Sequence, residues 1–185
     1  MGSDVRGVTV INHKVFCVGS RCCFFLWLNL VGLTNARGAM SAANGGDLHF
    51  VVNSDGSGDF KTIQSAVDHA LDHAPLGPKQ RLVLEIRPGT YRERVKIPPD
   101  RPRLTLLGSD AANTVIVFNA GAKDVGGTFF SSTVEVDAAE FQASNITFEN
   151  DHGPGTQAVA ITIHSDRAVL EKCRLATLNH MGYWQ

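Results

Sequence analysis

The sequence lacks an excess of charge of either sign. Its 185 residues include 17 lysines and arginines and 18 aspartates and glutamates, which gives a formal net charge of −1. A protein that binds nucleic acid usually presents a basic face, and this balance gives no support for one. Hydrophobic residues make up 43% of the chain, so we expect one domain with a sizeable core.

Cysteine is also scarce, and the four that occur have no spacing typical of a zinc site. Three of them lie near the N-terminus, and Cys173 stands alone far downstream. We predict that Cys173, at the end of an apolar run, is a buried free thiol, although a longer chain could supply a disulfide partner. The Gly-x-Ser-x-Gly elbow of serine hydrolases is absent as well, so no serine or cysteine nucleophile is evident.

The chain has no apolar run of the ~18–20 residues that a membrane span needs. Its most apolar stretch, residues 22–33, follows a mildly basic segment and precedes the mostly small residues 36–43. This order is typical of a secretory signal, so we predict that residues 1–43 are a leader and that the protein is secreted. An uncleaved leader and palmitoylation at Cys22 and Cys23 are the alternatives.

Helical periodicity is nearly absent too. Only residues 62–71 place apolar side chains at the spacing of an amphipathic helix, which Asp59 or Thr62 can cap. Short β-rich runs fill the rest, often about ten residues apart, and this rhythm fits a β-sandwich and a parallel β-helix equally well. The runs are residues 82–86, 95–97, 104–107, 115–118, 133–136, 146–148, 158–163 and 168–172.

Five sequence blocks carry a resemblance to a known family. They are Asp55-Gly-Ser-Gly-Asp-Phe-Lys-Thr-Ile-Gln64, Gly89-Thr-Tyr-Arg-Glu93, Asn145-Ile-Thr-Phe-Glu-Asn150, Gly153-Pro-Gly-Thr-Gln-Ala-Val-Ala-Ile161 and Ser165-Asp-Arg-Ala-Val-Leu-Glu-Lys-Cys173. In this order and spacing the chain resembles the pectinesterase family. The resemblance implies an all-β fold, an incomplete right-handed single-stranded parallel β-helix over residues 44–175, with a short helix capping its N-terminal coil.

The same resemblance implies a function. Pectinesterases are carboxylic ester hydrolases that demethylate the methyl-esterified homogalacturonan of pectin, giving pectate and methanol. This implies an extracellular or cell-wall protein that uses no cofactor and no metal. Pectin is the expected partner, a proteinaceous pectinesterase inhibitor is a further candidate, and the protein is expected to be a monomer.

Two residues are the candidate substrate-side groups. Ester hydrolysis passes through a tetrahedral oxyanion, and the neutral NH2 group of an amide can stabilise that charge without losing a proton. By the resemblance, Gln157 at the start of an apolar strand is this oxyanion donor and contacts the substrate. Thr128 aligns with a substrate-contacting threonine of the family.

The catalytic carboxylates of the family have no counterpart in the sequence. The family uses one aspartate as nucleophile, in an aromatic-Gln-Asp-Thr block shortly after the counterpart of Cys173, and a second as general acid and base. No Asp or Glu follows Glu171. Either residues 176–185 are a divergent tail, or Tyr183-Trp-Gln185 is the displaced start of that block. In both interpretations the nucleophile is absent, so little or no esterase activity is expected.

Two hypotheses compete with an enzyme: a non-catalytic polysaccharide-binding β-helix, and a non-functional truncation product. Other features have plainer interpretations. Residues 53–64 imitate a calcium loop but are predicted to be a turn between strand and helix. The block at residues 89–93 is predicted to be a structural turn that serves as scaffold. Glu149 and Asp151 are predicted to be solvated loop charges, with a carboxylate pair beside a loop as the alternative. Asn145 begins an N-glycosylation sequon and is either a glycan site or an internal asparagine.

Overall fold

A computed structural model describes residues 46–73, 77 and 79–178. The predicted leader, residues 1–43, and residues 179–185 of the predicted tail lie outside the described part. The predicted domain boundary at residue 175 falls within the last strand, whose pairing continues to Thr177. Within the described residues, no helix is long and apolar enough to cross a membrane.

The described residues form three parallel sheets, with strands numbered in chain order. In spatial order, sheet A contains β1 (Leu48–Val52), β2 (Leu82–Ile86), β5 (Leu104–Gly108), β8 (Gln142–Ser144) and β11 (Val169–Glu171). Sheet B contains β3 (Gly89–Arg92), β6 (Thr114–Phe118), β9 (Thr147–Asn150) and β12 (Arg174–Thr177), and sheet C contains β4 (Val95–Ile97), β7 (Val134–Val136) and β10 (Ile161–Ile163). The helices are α1 (Ile63–His73) and α2 (Ala122–Val125), and a 3-10 turn covers Thr128–Ser131.

The order of the strands makes the fold a parallel β-helix. From β2 onwards the chain visits sheets A, B and C in turn, and every strand pairs in parallel with the strand one coil away. Leu106, for example, pairs with Leu84 on one side and with Ala143 on the other. The β-helix implied by the family resemblance is therefore confirmed, and the sandwich alternative is excluded.

The core consists of apolar side chains stacked from coil to coil. Successive side chains of a strand point to opposite faces of the sheet. In β4, Val95 and Ile97 therefore point inward and are buried, while Lys96 between them is exposed. Phe141 and Phe148 fill the interior of later coils and are fully buried. Burial of each such side chain contributes about 1.5–3 kcal/mol, so this stack is the main source of stability.

Helix α1 covers the first coil, as predicted. Its apolar face, which includes Ile63, Ala66 and Val67, is completely buried. Thr62 is the cap: its Oγ1 accepts a hydrogen bond from the Ser65 N–H at 3.2 Å. The helix therefore closes the end of the solenoid, where the apolar interior would otherwise face water.

The block at residues 89–93 serves as scaffold, as predicted, but Gly89–Arg92 forms strand β3 instead of the predicted turn. Glu93 accepts hydrogen bonds from the N–H groups of Ile63 at 2.8 Å and Gln64 at 2.9 Å, and so secures the first turn of α1. Burial raises the pKa of Glu93, while these two N–H donors act in the opposite direction. The hydroxyl of Tyr91 donates within the same region, to the carbonyl oxygen of Arg87 at 2.9 Å.

Substituting Glu93 is expected to destabilise the fold. Glu93→Ala leaves two N–H groups at the start of α1 without their acceptors, so the free energy of unfolding should fall by about 2–3 kcal/mol in denaturant titration. Glu85→Ala is the control, because Glu85 forms an exposed ion pair with Arg87 at 3.0 Å and should cost under about 0.5 kcal/mol. Equal losses in the two variants would contradict the capping role.

The loop that imitates a calcium site is a turn, as predicted. Asp55 accepts a hydrogen bond from the Ser57 N–H at 2.7 Å, and this bond lowers the pKa of its carboxyl. The Asn53 amide donates to the Ser57 hydroxyl at 2.7 Å. Asp59, the other candidate cap for α1, instead accepts from the Val51 N–H at 2.8 Å. The oxygens of this loop are thus engaged in its own fold.

Two further residues have structural roles. Asn145 adopts a left-handed conformation, with φ of 58°, at the bend between β8 and β9, and its amide donates to the Gly108 carbonyl at 3.3 Å. This favours the internal interpretation of the sequon. Cys173 is a buried free thiol directed at the Ala143 carbonyl at 3.4 Å, as predicted. Burial raises its pKa, so the thiol is protonated at neutral pH.

Candidate functional site

The two candidate residues lie on adjacent loops that lead into sheet C. The first site loop, residues 119–133, connects β6 to β7 and contains α2 and the 3-10 turn. The second site loop, residues 151–160, connects β9 to β10. Because β7 and β10 are neighbours in sheet C, the two loops run side by side. The fold therefore brings together residues that are far apart in the sequence.

Thr128 and Gln157 meet across these loops. The Thr128 hydroxyl donates a hydrogen bond to the Gln157 side-chain oxygen. Thr128 is partly exposed and Gln157 is exposed, so both are accessible from solvent. Since the threonine holds the oxygen end of the amide, the NH2 end is free to donate, and no hydrogen bond from it occurs within the described residues. Their catalytic roles remain predictions.

Backbone hydrogen bonds fasten the second site loop to the first. The Ala122 N–H donates to the Gln157 carbonyl at 2.8 Å, and the Lys123 N–H donates to the Thr156 hydroxyl at 3.2 Å. These contacts place the start of α2 directly against the segment that carries Gln157. Gln157 is thus held by a hydrogen bond to its main-chain carbonyl as well as by the Thr128 hydroxyl.

Gly121, the residue before α2, packs closely against two side chains of the second site loop. A Cβ added to it would lie 2.5 Å from side-chain atoms of His152 and of Thr156. A larger residue at this position would therefore displace these two side chains. His152 also interacts across the gap, with Asn119 at 3.0 Å and with Asp124 at 3.8 Å.

An exposed aromatic pair stands beside Thr128. Phe129 and Phe130 leave 67% and 62% of their surface in solvent, an unusual exposure for two large apolar side chains. The sequence reasoning did not select them, although two adjacent phenylalanines in a polar loop are a recognisable signal. Both follow Thr128 directly in the 3-10 turn, so they add exposed apolar surface to the first site loop.

Charged residues cover the outer face of sheet C. Glu135 of β7 lies 3.5 Å from Lys96 and 3.6 Å from Arg94, and Asp137 contacts His164 at 3.0 Å. The oxygens of Glu135 and Asp137 and a His164 nitrogen all lie within 4.8 Å of one another. Such donors can hold a divalent cation, but Lys96 and Arg94 already balance Glu135, and their charge opposes a metal ion here.

Carboxylate groups near Thr128 and Gln157 are the candidates for a nucleophile. Within residues 46–73, 77 and 79–178, no Asp or Glu forms a hydrogen bond with the side chain of Thr128 or Gln157. Asp151, predicted to be a solvated charge, is instead partly buried and paired with Arg92 at 2.7 Å. That prediction is wrong because Arg92 of β3 reaches across the coils to the carboxylate. The described site can donate hydrogen bonds, and it shows no positioned nucleophile.

Comparison with known proteins gives a consistent result. A family model described as Pectinesterase matches residues 49–183. Pectinesterase 5 of Arabidopsis thaliana is 43% identical over 128 residues, which cover 68% of this chain and 21% of that protein. Pectin methylesterase from carrot is similar in structure, with a TM-score of 0.61, 38% identity and coverage of 67% of this chain and 38% of that one.

A pectin methylesterase crystallised with a hexasaccharide is also similar, with a TM-score of 0.57 and 29% identity. It is matched over 69% of this chain and 44% of its own. The chain spans from about a fifth to two fifths of the length of the curated relatives it matches.

Proposed function

The chain belongs to the pectinesterase family, and from this premise we propose that it supplies the oxyanion-donor side of a pectin methylesterase site. The proposed substrate is methyl-esterified homogalacturonan, and the proposed location is the cell wall. One observation carries the proposal: Thr128 and Gln157, which are 29 residues apart, share a hydrogen bond at an accessible position.

The chemistry of the pair fits the hydrolysis of a methyl ester. Attack on the ester carbonyl converts its oxygen into an oxyanion, which an NH2 group can stabilise at hydrogen-bond distance. Gln157 is that donor, and Thr128 holds the opposite end of the same amide. The hydroxyl thereby fixes the rotation of the amide before substrate arrives. A donor fixed in advance needs no reorganisation when charge develops.

The reaction also needs a carboxylate nucleophile. The 185 residues contain no aromatic-Gln-Asp-Thr block. We therefore expect the 185-residue polypeptide to bind methyl-esterified homogalacturonan and to release little methanol. Under this proposal the polypeptide by itself acts as a polysaccharide-binding β-helix, because it lacks the carboxylates that the reaction needs. A monomeric state and contact with a proteinaceous pectinesterase inhibitor at the same loops belong to the proposal as well.

Binding is tested directly by calorimetry. A methyl-esterified hexagalacturonate should bind the polypeptide at the site loops, and a neutral glucose hexamer should not. Substitution of Gln157 by alanine should weaken the binding of the galacturonate only slightly, because the proposed donor interacts most strongly with the charge of the transition state. Equal binding of both oligosaccharides, or no binding of either by a folded protein, would overturn the proposal.

The exposed aromatic pair is expected to contribute to affinity. Phe129→Ala and Phe130→Ala each remove a large apolar face beside Thr128, against which the C–H face of a sugar ring can pack. Each should weaken binding about tenfold, which corresponds to about 1.4 kcal/mol. Leu107→Ala is the control, because Leu107 is also exposed, at 38%, but lies on sheet A. A similar loss in the control would show that the effect is not local.

A further inference from the structure

Asn150 is a fully buried side chain at the end of β9 that bonds to both site loops. Three carbonyl oxygens share the two hydrogens of its amide nitrogen. Those of Ser131 at 2.7 Å and Ala120 at 3.0 Å belong to the first site loop, and that of Val159 at 3.1 Å belongs to the second. One side chain thus bridges the two segments that carry the candidate residues.

The oxygen of the same amide is also occupied. It accepts hydrogen bonds from the N–H groups of His152 at 3.1 Å and Ala120 at 3.3 Å. Asparagine is the residue that suits this position, because donors and acceptors are needed on one short planar group. A carboxylate offers no donor, and an apolar side chain leaves several buried backbone groups without partners.

The bonds of Asn150 end close to the functional pair along the chain. Ser131 lies three residues after Thr128, and its hydroxyl donates to the Thr128 carbonyl at 2.6 Å. Val159 lies two residues after Gln157. Asn150 therefore holds the two loops together three residues after Thr128 and two residues after Gln157.

We propose that Asn150 is a positioning residue that fixes the position of the Gln157 side chain relative to the Thr128 hydroxyl. It acts from beneath the loops and does not itself contact the substrate. The inference rests on the proposed role of Gln157 as oxyanion donor, because only then does the position of its side chain matter for catalysis. The positioning can nevertheless be measured without substrate.

The test uses the 15N-labelled 185-residue chain and the variant Asn150→Asp. At neutral pH a carboxylate would face three carbonyl oxygens, and its repulsion should part the loops. We expect the Gln157 side-chain NH2 resonances to move towards the position of a free glutamine. The amide of Ala122, which donates to the Gln157 carbonyl, should exchange at least about tenfold faster.

Dependence on pH separates positioning from a general loss of stability. As the pH falls, the introduced carboxyl takes up a proton and regains one donor, so the Gln157 resonances should return towards those of the wild type. Thr147→Val is the matched control. Thr147 is another buried polar residue of β9, but its hydroxyl donates at 2.6 Å to Ala111, which lies outside both site loops. This variant should leave the Gln157 resonances unchanged at every pH.

Two outcomes would overturn the inference. One is a Gln157 signal unaffected by Asn150→Asp, and the other is an equal change in Thr147→Val. Should Asn150→Asp fail to fold, the wild type supplies the test, because the amides of Ala120 and His152 must be protected through Asn150. Exchange of these amides at the rate of an unfolded chain would overturn it. Failure of the wild type to bind methyl-esterified hexagalacturonate would instead refute the proposed function alone.

Discussion

Methanol release from methyl-esterified pectin by the 185-residue polypeptide is expected to be at least about 10⁴-fold slower than by carrot pectin methylesterase. In a serine hydrolase that forms a covalent intermediate, removing the nucleophile alone costs about 10⁶ in kcat. Under the proposed function, Gln157 stabilises an oxyanion only after a nucleophile has attacked the ester. Without that attack, its NH2 group has no developing charge to stabilise.

The measurement is a coupled alcohol oxidase assay with both proteins at equal concentration. Binding of methyl-esterified hexagalacturonate, followed by calorimetry on the same preparation, shows that the polypeptide is folded and that its site is intact. Robust turnover that is abolished by substituting a carboxylate within the 185 residues would contradict the prediction. Asp151 and Glu149 are the first to substitute, because Asp151 begins the second site loop and Glu149 lies two residues before it.

A hybrid protein tests the reason for this expectation. Residues 46–175 of this chain are followed by the C-terminal part of carrot pectin methylesterase, starting at the position that aligns with residue 176. We expect this hybrid to release methanol, because it joins the proposed donor side of the site to the C-terminal part of a pectin methylesterase. A soluble, folded hybrid without activity would show that the donor side of this chain is not competent.

Much of the fold can be predicted from the sequence. Helix α1 has the apolar spacing of an amphipathic helix, and its cap at Thr62 follows from local chemistry. Most strands also coincide with the predicted β-rich runs. Rhythm alone, however, cannot separate a sandwich from a β-helix, because both alternate inward and outward side chains every two residues. The family resemblance made that choice.

The elements that were missed depend on contacts between coils. Gly89–Arg92 was predicted to be a turn, yet it forms β3 because β6 pairs with it along its length. Strands β8 and β12 have weak apolar patterns and are held in place by their neighbours. Helix α2 is only four residues long, too short to leave a periodic signal.

Contacts between side chains of the site could not be predicted from the sequence either. Gln157 and Thr128 were identified by resemblance, but nothing in the sequence indicates that they hydrogen-bond to each other. Asn150 was read as part of a family block without a role of its own. Its amide lies within hydrogen-bond distance of five backbone atoms, in residues up to 30 positions away, and no local pattern encodes such contacts.

Substituting Gln157 by alanine in the active hybrid is expected to lower kcat by about 10²–10³. This is the usual cost of losing one side-chain donor from an oxyanion site. The effect should appear mainly in kcat, with a much smaller change in KM, because the donor interacts most strongly with charge that develops in the transition state. Gln157→Glu should be at least as damaging, since a carboxylate repels the oxyanion.

Thr128 and Gln142 provide the comparison that makes the Gln157 result specific. Thr128→Val retains the shape but loses the hydroxyl that orients the amide, so kcat should fall less, by about tenfold, while Thr128→Ser should stay near wild type. Gln142→Ala removes a partly buried glutamine of sheet A and should leave kcat unchanged.

If Gln157→Ala raised KM with kcat intact, Gln157 would bind the ester in its ground state, and the oxyanion role would be refuted. Because Thr128→Val acts through the amide of Gln157, the double variant should be no slower than Gln157→Ala alone.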